Sequence, residues 1–118
     1  MLKHTEIGIK GEEIAVDFLQ KKGYKIINKN WRSGKKEIDI IAFINDVLVF
    51  FEIKTRSNYD FGFPEEAVNK KKQAFIKSAA DAFIAANPQY TTIRFDIISI
   101  VLSGNTVKEI VHFEEAFY

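Results

Sequence analysis

Asp39, Glu52 and Lys54 are the residues of this sequence whose types and spacing suit chemistry. Read as a strand, Leu48–Lys54 alternates its side chains with period two. Leu48, Phe50, Glu52 and Lys54 then point one way, and Val47, Val49, Phe51 and Ile53 the other. Both faces are apolar until Glu52, as expected of a central strand covered on both sides. Such a strand keeps a carboxylate and an ammonium only where they have partners or a task.

The preceding strand, Glu37–Phe43, sets Glu37, Asp39, Ile41 and Phe43 against Ile38, Ile40 and Ala42. Asn45 and Asp46 tolerate the left-handed conformations of a two-residue hairpin loop. Ile44 then faces Val47, and the same register sets Asp39 opposite Glu52 and Glu37 opposite Lys54. Carboxylates facing each other across a ladder repel, and one pKa rises unless a cation intervenes. Mg²⁺ suits the place, because it takes one or two carboxylates and completes its shell with waters and phosphate oxygens. The chemistry that follows is phosphodiester hydrolysis. A divalent ion at Asp39 and Glu52 would polarise a phosphate and acidify a water. Lys54 would steady the attacking water or the charge developing on the phosphate. The structural alternative is a buried ion-pair cluster with a Glu37–Lys54 salt bridge. An acid–acid pair is a poor way to stabilise a core, which favours the chemical reading.

Glu12 is the next acid. Thr5–Lys22 reads as a helix with a stripe of Ile7, Gly11, Ile14, Ala15 and Phe18. Gly8, Ala15 and Leu19 surround Glu12 on that helix and set it on or beside the buried stripe. Gly8 and Gly11 each cost a helix about 1 kcal/mol against Ala and point to a close backbone approach. Glu12 is then either a site acid, holding a water or a second metal, or a helix acid favoured by the N-terminal dipole.

These residues need a scaffold. Gly23 suits a helix terminator, and Tyr24–Asn30 reads as a first strand. The hairpin Glu37–Phe43 and Val47–Thr55 follows, then a loop over Arg56–Phe63. A second helix starts between Pro64 and Asn69, with Asn69 as one candidate N-cap, and ends near Ala86. Val68, Lys72, Phe75, Ile76, Ala79 and Phe83 mark its inner face. Thr92–Leu102 and Val107–Phe113 are the last strands, joined by Ser103-Gly104-Asn105. The order α-β-β-β-α-β-β implies an α/β fold, a mixed sheet with helices against it. All 118 residues read as a single domain, long enough for a proper core.

Composition excludes several classes. With 47% apolar and 28% charged residues the chain is neither disordered nor fibrous. No apolar run approaches a membrane span, so no membrane partner is expected. Zero Cys removes disulfides and thiolate metal sites. That absence, with a start lacking a secretory apolar region, leads to a cytoplasmic expectation. Net charge is +1, but from Lys21 to Lys36 every charged residue is basic, and Lys70-Lys71-Lys72 forms a second cluster. Local basic surface suits nucleic acid, though a solvated face is the commoner fate of lysines. Trp31 beside Arg32 could stack on a base but more often belongs to a core. Arg56 is a candidate phosphate contact. Tyr59, Phe61 and Phe63 are candidates to touch substrate or a second subunit, or to fold the loop back on the helix. Arg94 and Asp96 share a strand face and suit a pair, and His4 and His112 lack metal-ligand spacing and read as surface residues.

Asp39 followed by Glu52-Ile53-Lys54 after a short hairpin, with an earlier helical Glu12, resembles the PD-(D/E)XK nuclease superfamily. Ile38 stands where that name has proline. A closer resemblance spans nearly the whole chain. It is carried by Gly8-x-x-Gly11-Glu12-x-x-Ala15, Gly23-Tyr24, Asn30-Trp31-Arg32, Glu37-Ile38-Asp39-Ile40-Ile41 and Val49-Phe50-Phe51-Glu52-Ile53-Lys54-Thr55-Arg56. Lys72-Gln73, Arg94-Phe95-Asp96 and Glu115-Ala116-Phe117 complete it. This set resembles the YraN family, bacterial proteins with a restriction-endonuclease-like fold similar to archaeal Holliday-junction resolvases. The resemblance implies Asp39, Glu52 and the Ile53 carbonyl as ligands of Mg²⁺, or of Mn²⁺ in its place. It implies Lys54 as the catalytic lysine, Glu12 as the helix acid of resolvase-like members, and Lys72 and Gln73 on a helix beside the site. DNA is the implied partner, with branched structures among its forms, and a homodimer is implied where junctions are cut. Two rival expectations stand beside an endonuclease: a nucleic-acid-binding domain that keeps the fold without cutting, and an interaction module in which the charges are structural.

Overall fold

The computed structural model describes residues 4–57 and 68–118. Its elements are α1 (His4–Lys21), β1 (Lys25–Ser33), β2 (Lys36–Ile44), β3 (Val47–Arg56), α2 (Lys70–Ala86), β4 (Ile93–Ser103) and β5 (Thr106–Phe117). This is the α-β-β-β-α-β-β order expected. One sheet of order β1-β2-β3-β4-β5 holds all the strands. Asn45 and Asp46 both have positive φ, 48° and 65°, which is the two-residue hairpin loop. Ile44 accordingly pairs with Val47 and Ile40 with Phe51. The α2 crossover returns the chain parallel to β3, while the other neighbours pair antiparallel, so the sheet is mixed.

The helices lie on opposite faces of the sheet. Ile76, Ala79, Ala80 and Phe83 of α2 pack with Ile41, Leu48, Phe50, Phe95 and Ile97. Ala15 and Leu19 of α1 pack with Ile40, Ala42, Val49, Phe51, Ile53, Ile98 and Ile100. Both faces of β3 are therefore covered, and its apolar run follows from that position. No helix among the described residues is long and apolar enough to cross a membrane.

Several boundaries moved for identifiable reasons. Asn69 is the N-cap of α2, its Oδ1 accepting from Lys72 N at 2.9 Å. Phe75 is not on the inner face: it is 44% exposed, and Ala80 is buried instead. Trp31 extends β1 past Asn30, because its ring packs edge-on against Phe83 at 5.4 Å between centroids. It belongs to the core rim and not to a base-stacking surface. Phe117, stacked on Phe95 at 5.1 Å, likewise extends β5 beyond Phe113. Gly11 makes the close approach expected of it: a Cβ there would lie 2.8 Å from both Cβ and Cγ2 of Thr55. Gly8 does not, since a Cβ there would meet open space. Tyr59, Phe61, Phe63 and Pro64 lie outside the described residues.

Candidate active site

The β2–β3 ladder stops at Ile40↔Phe51, one pair short of Asp39 and Glu52. There Ile53 N donates at 2.8 Å to Asp39 Oδ2, so a carboxylate stands where a ladder carbonyl would. β3 keeps its place through β4, with Glu52 beside Ile97 and Ile53 beside Ile98. The alternation of β2 breaks at the same residue. Ile40 packs on the α1 side, whereas Ile38 and Ile41 both pack on the α2 side. In β1 the matching step is Asn30, at φ 53°, between the pairs Lys29↔Ile40 and Trp31↔Ile38. Strict alternation would put Ile38 with Ile40. The kink corrects that and turns Asp39 toward the end of β3.

Glu52 is buried, and its Oε1 lies 3.5 Å from Lys54 Nζ and 3.5 Å from Lys72 Nζ. Burial, with Glu52 next in weight, pushes the Asp39 carboxyl up to about 7 against the opposing Ile53 N–H, and Glu12 adds to the rise. Burial also raises Glu12, helped by Glu37 and Glu52 and opposed by a hydrogen bond from Asn30 and by Lys29. Glu12, Asp39 and Glu52 thus feel one another, and Glu12 belongs to the acidic group rather than to a solvated helix face. The contact of Gly11 with Thr55 sets it there, by seating α1 against β3 one residue beyond Lys54. Glu12 Oε1 is buried with no hydrogen-bond partner among the described residues.

An orphaned carboxylate oxygen and two acids of raised pKa are what a cation would relieve. The residues therefore fit a divalent ion bound through two carboxylates with waters completing its shell. They do not form a closed cage. Among the described residues, the trio whose ligand atoms all lie within 4.8 Å of one another is Asp96, His112 and Glu114.

The remaining candidates divide. Lys72 reaches the site from the first turn of α2. Gln73 does not: its Nε2 donates to Val68 O at 3.2 Å, closing the start of the helix. Arg56 ends β3, half-buried and paired in the ladder with Val101. Glu37 binds Arg32 at 2.9 Å instead of Lys54, because the ladder that would have brought them together has already ended.

His112 corrects the surface expectation. Its side chain is 4% exposed, and its ring packs near Phe51 and Tyr24. Lys22 Nζ lies 2.7 Å from Nδ1, and a lysine ammonium has only protons to offer. Nδ1 therefore accepts, and Nε2 donates to Asp96 Oδ2 at 2.7 Å. Asp96 also accepts from Arg94 Nε and Nη2 at 2.9 Å each, and from Glu115 N at 3.0 Å. Burial alone would raise Asp96, but these bonds outweigh it and hold its carboxyl below the usual range. Arg94 continues to Tyr24 Oη at 2.6 Å and Glu114 at 3.1 Å. Its guanidinium bridges both carboxylates and supplies the cation that the Asp96–His112–Glu114 trio needs. The sequence signal was the step of two from Ile110 to His112, which sets both on one strand face.

The model of a family described as "Uncharacterised protein family UPF0102" matches residues 11–100. A UPF0102 protein of Flavobacterium psychrophilum is 44% identical over 118 residues, covering 100% of this chain and 98% of its own. One from Dictyoglomus thermophilum is 47% identical over 103 residues, 86% of this chain and 87% of its own. One from Phocaeicola vulgatus is 45% identical over 118 residues, 100% of this chain and 97% of its own.

Proposed function

The chain belongs to the uncharacterised protein family UPF0102, the YraN family, and we propose that it is a metal-dependent endonuclease hydrolysing DNA phosphodiester bonds. One observation carries this reading. The sheet gives up a ladder pair at Asp39 and Glu52, and burial, with the facing Glu52 next in weight, pushes the Asp39 carboxyl up to about 7, with Lys54 close to Glu52. A core built for stability alone would not accept that repulsion.

Mg²⁺, or Mn²⁺ in its place, held by Asp39, Glu52 and the Ile53 carbonyl, would supply Lewis-acid polarisation of a phosphate and acidify a water. The chain's own residues do the rest. The Ile53 N–H fixes one Asp39 oxygen and leaves the other for the site. Lys54, 26% exposed at its side chain, is held near Glu52 and offers protons to the charge that develops on the phosphate. Glu12 accepts a proton or orients a water with the oxygen that has no partner among the described residues. Arg56, at the end of β3, takes a neighbouring phosphate of the substrate strand.

A second reading, a nucleic-acid-binding domain that does not cut, draws on one observation: two ammonium groups already flank Glu52. A cleavage assay decides. Duplex, single-stranded, flap and four-way DNA are incubated with Mg²⁺ or Mn²⁺ and either the native chain or Lys54→Ala. Cutting that disappears in Lys54→Ala while binding persists supports the nuclease. Salt-sensitive binding without cutting by the native chain selects the second reading. Equal cutting by both proteins would sink the assigned roles.

A further inference from the structure

We propose that Lys72 is a movable counter-cation of the acidic site, holding Glu52 while no divalent ion is bound and passing to a DNA phosphate when one is. The inference rests on the nuclease reading and adds to it a residue that couples metal loading to substrate binding. Glu52 is 4% exposed, so water alone does not compensate its charge. Lys54 and Lys72 both stand 3.5 Å from the same oxygen, Oε1, longer than a tight charge-assisted hydrogen bond. Neither is locked onto it.

The two lysines differ in what else holds them. Lys54 belongs to the strand that carries Glu52, two residues on and on the same face, and its side chain is 26% exposed. Lys72 comes from α2, and its side chain is 41% exposed. The Asn69 cap fixes its backbone through Lys72 N and does not engage its long side chain. A divalent ion on Glu52 would repel both ammonium groups, and Lys72 is the one with room to leave. The first turn of α2 carries no acid to receive it. Lysines there also oppose the helix dipole, so the released ammonium is drawn to an anion, and the first turn of α2 supplies none. Lys71 is already placed over the Phe75 ring, at 5.9 Å, and does not compete for the role. A substrate phosphate beside the loaded site is the anion that fits.

The test measures Mn²⁺ binding to the whole chain by electron paramagnetic resonance, without DNA. Native protein is compared with Lys72→Met, Lys71→Met and Asp39→Asn. Removing the competitor should tighten Mn²⁺ binding by Lys72→Met about fivefold, the weight of a partly exposed ion pair. Lys71→Met should stay near the native value. In Ca²⁺, used as a non-cleaving ion, Lys72→Met should bind a short single-stranded oligonucleotide severalfold more weakly. That pair of opposite signs is the signature, because a merely structural lysine would not move the two affinities apart. Lys72→Gln keeps the backbone cap as well and should show the same signs if the Met variant folds poorly. Unchanged or weaker Mn²⁺ binding by Lys72→Met, an equal gain in Lys71→Met, or unchanged oligonucleotide binding overturns the inference with the nuclease reading intact. Failure of the native chain to bind Mn²⁺, or undiminished binding by Asp39→Asn, overturns the reading beneath it and the inference with it.

Discussion

Asp39 Oδ2 accepts the Ile53 amide hydrogen at 2.8 Å, at the point where the β2–β3 ladder ends. One side chain thereby satisfies the backbone of a central strand and presents a carboxylate to Glu52. Asparagine retains an acceptor for Ile53 N–H and alanine does not. Asp39→Ala should therefore be less stable than Asp39→Asn by about 1–2 kcal/mol, the cost of an unpaired buried N–H. Urea unfolding at pH 5 measures the difference. Both variants should lose Mn²⁺ binding.

The raised Asp39 carboxyl sets a pH dependence. Its folded pKa, about 7, lies above the ordinary 3.8. Between those values the folded state binds more protons than the unfolded one, so stability falls as pH rises from 4 to 7. The contribution is fully favourable below pH 4 and is lost above pH 7. Asp39→Asn removes this slope. The variant should be more stable than the native protein at pH 8 by about 1–3 kcal/mol, given ~1.4 kcal/mol per pKa unit divided among coupled acids. Thermal unfolding of the metal-free protein across pH 4 to 8 reads it out, and a parallel pair of curves contradicts the prediction.

Gly11 and Gly8 should respond oppositely to alanine. At Gly11 the added methyl meets the side chain of Thr55, a short β-branched residue with little room to move. Gly11→Ala should cost about 1–3 kcal/mol, as overpacking does, and Thr55→Gly in the same chain should recover part of it. At Gly8 the methyl meets open space on a helix, and Gly8→Ala should stabilise by about 0.5–1 kcal/mol. Urea midpoints separate the two.

Asp96 holds Arg94, His112 and the Glu115 amide together. Asp96→Ala leaves those donors buried without their acceptor and should cost about 3–5 kcal/mol. Mn²⁺ affinity of the protein that remains folded should not change, because Arg94 already serves this cluster as its cation. A loss of Mn²⁺ binding in Asp96→Ala, with the Asp39 site intact, would move the metal to the Asp96 cluster.

Much of this molecule was legible from local patterns. Apolar alternation and Asn45-Asp46 were enough for the hairpin and its register, because a two-residue loop leaves one pairing that keeps every apolar side chain inside. The order of elements follows from helical and strand periods, and the mixed sheet follows from one crossover helix. Glu52 and Lys54 stood out because charge interrupts an otherwise apolar central strand. What periodicity could not supply were the events that break it. The kink at Asp39 depends on Trp31 and Ile38 both turning to α2, a contact between residues on different strands. The arrival of Lys72 at Glu52 depends on where α2 lands after its crossover, and the burial of His112 depends on Lys22 and Asp96 meeting it from two other elements. Short-range order writes the strands and turns. The charges that share a site come from distant segments, and only packing decides which of them meet.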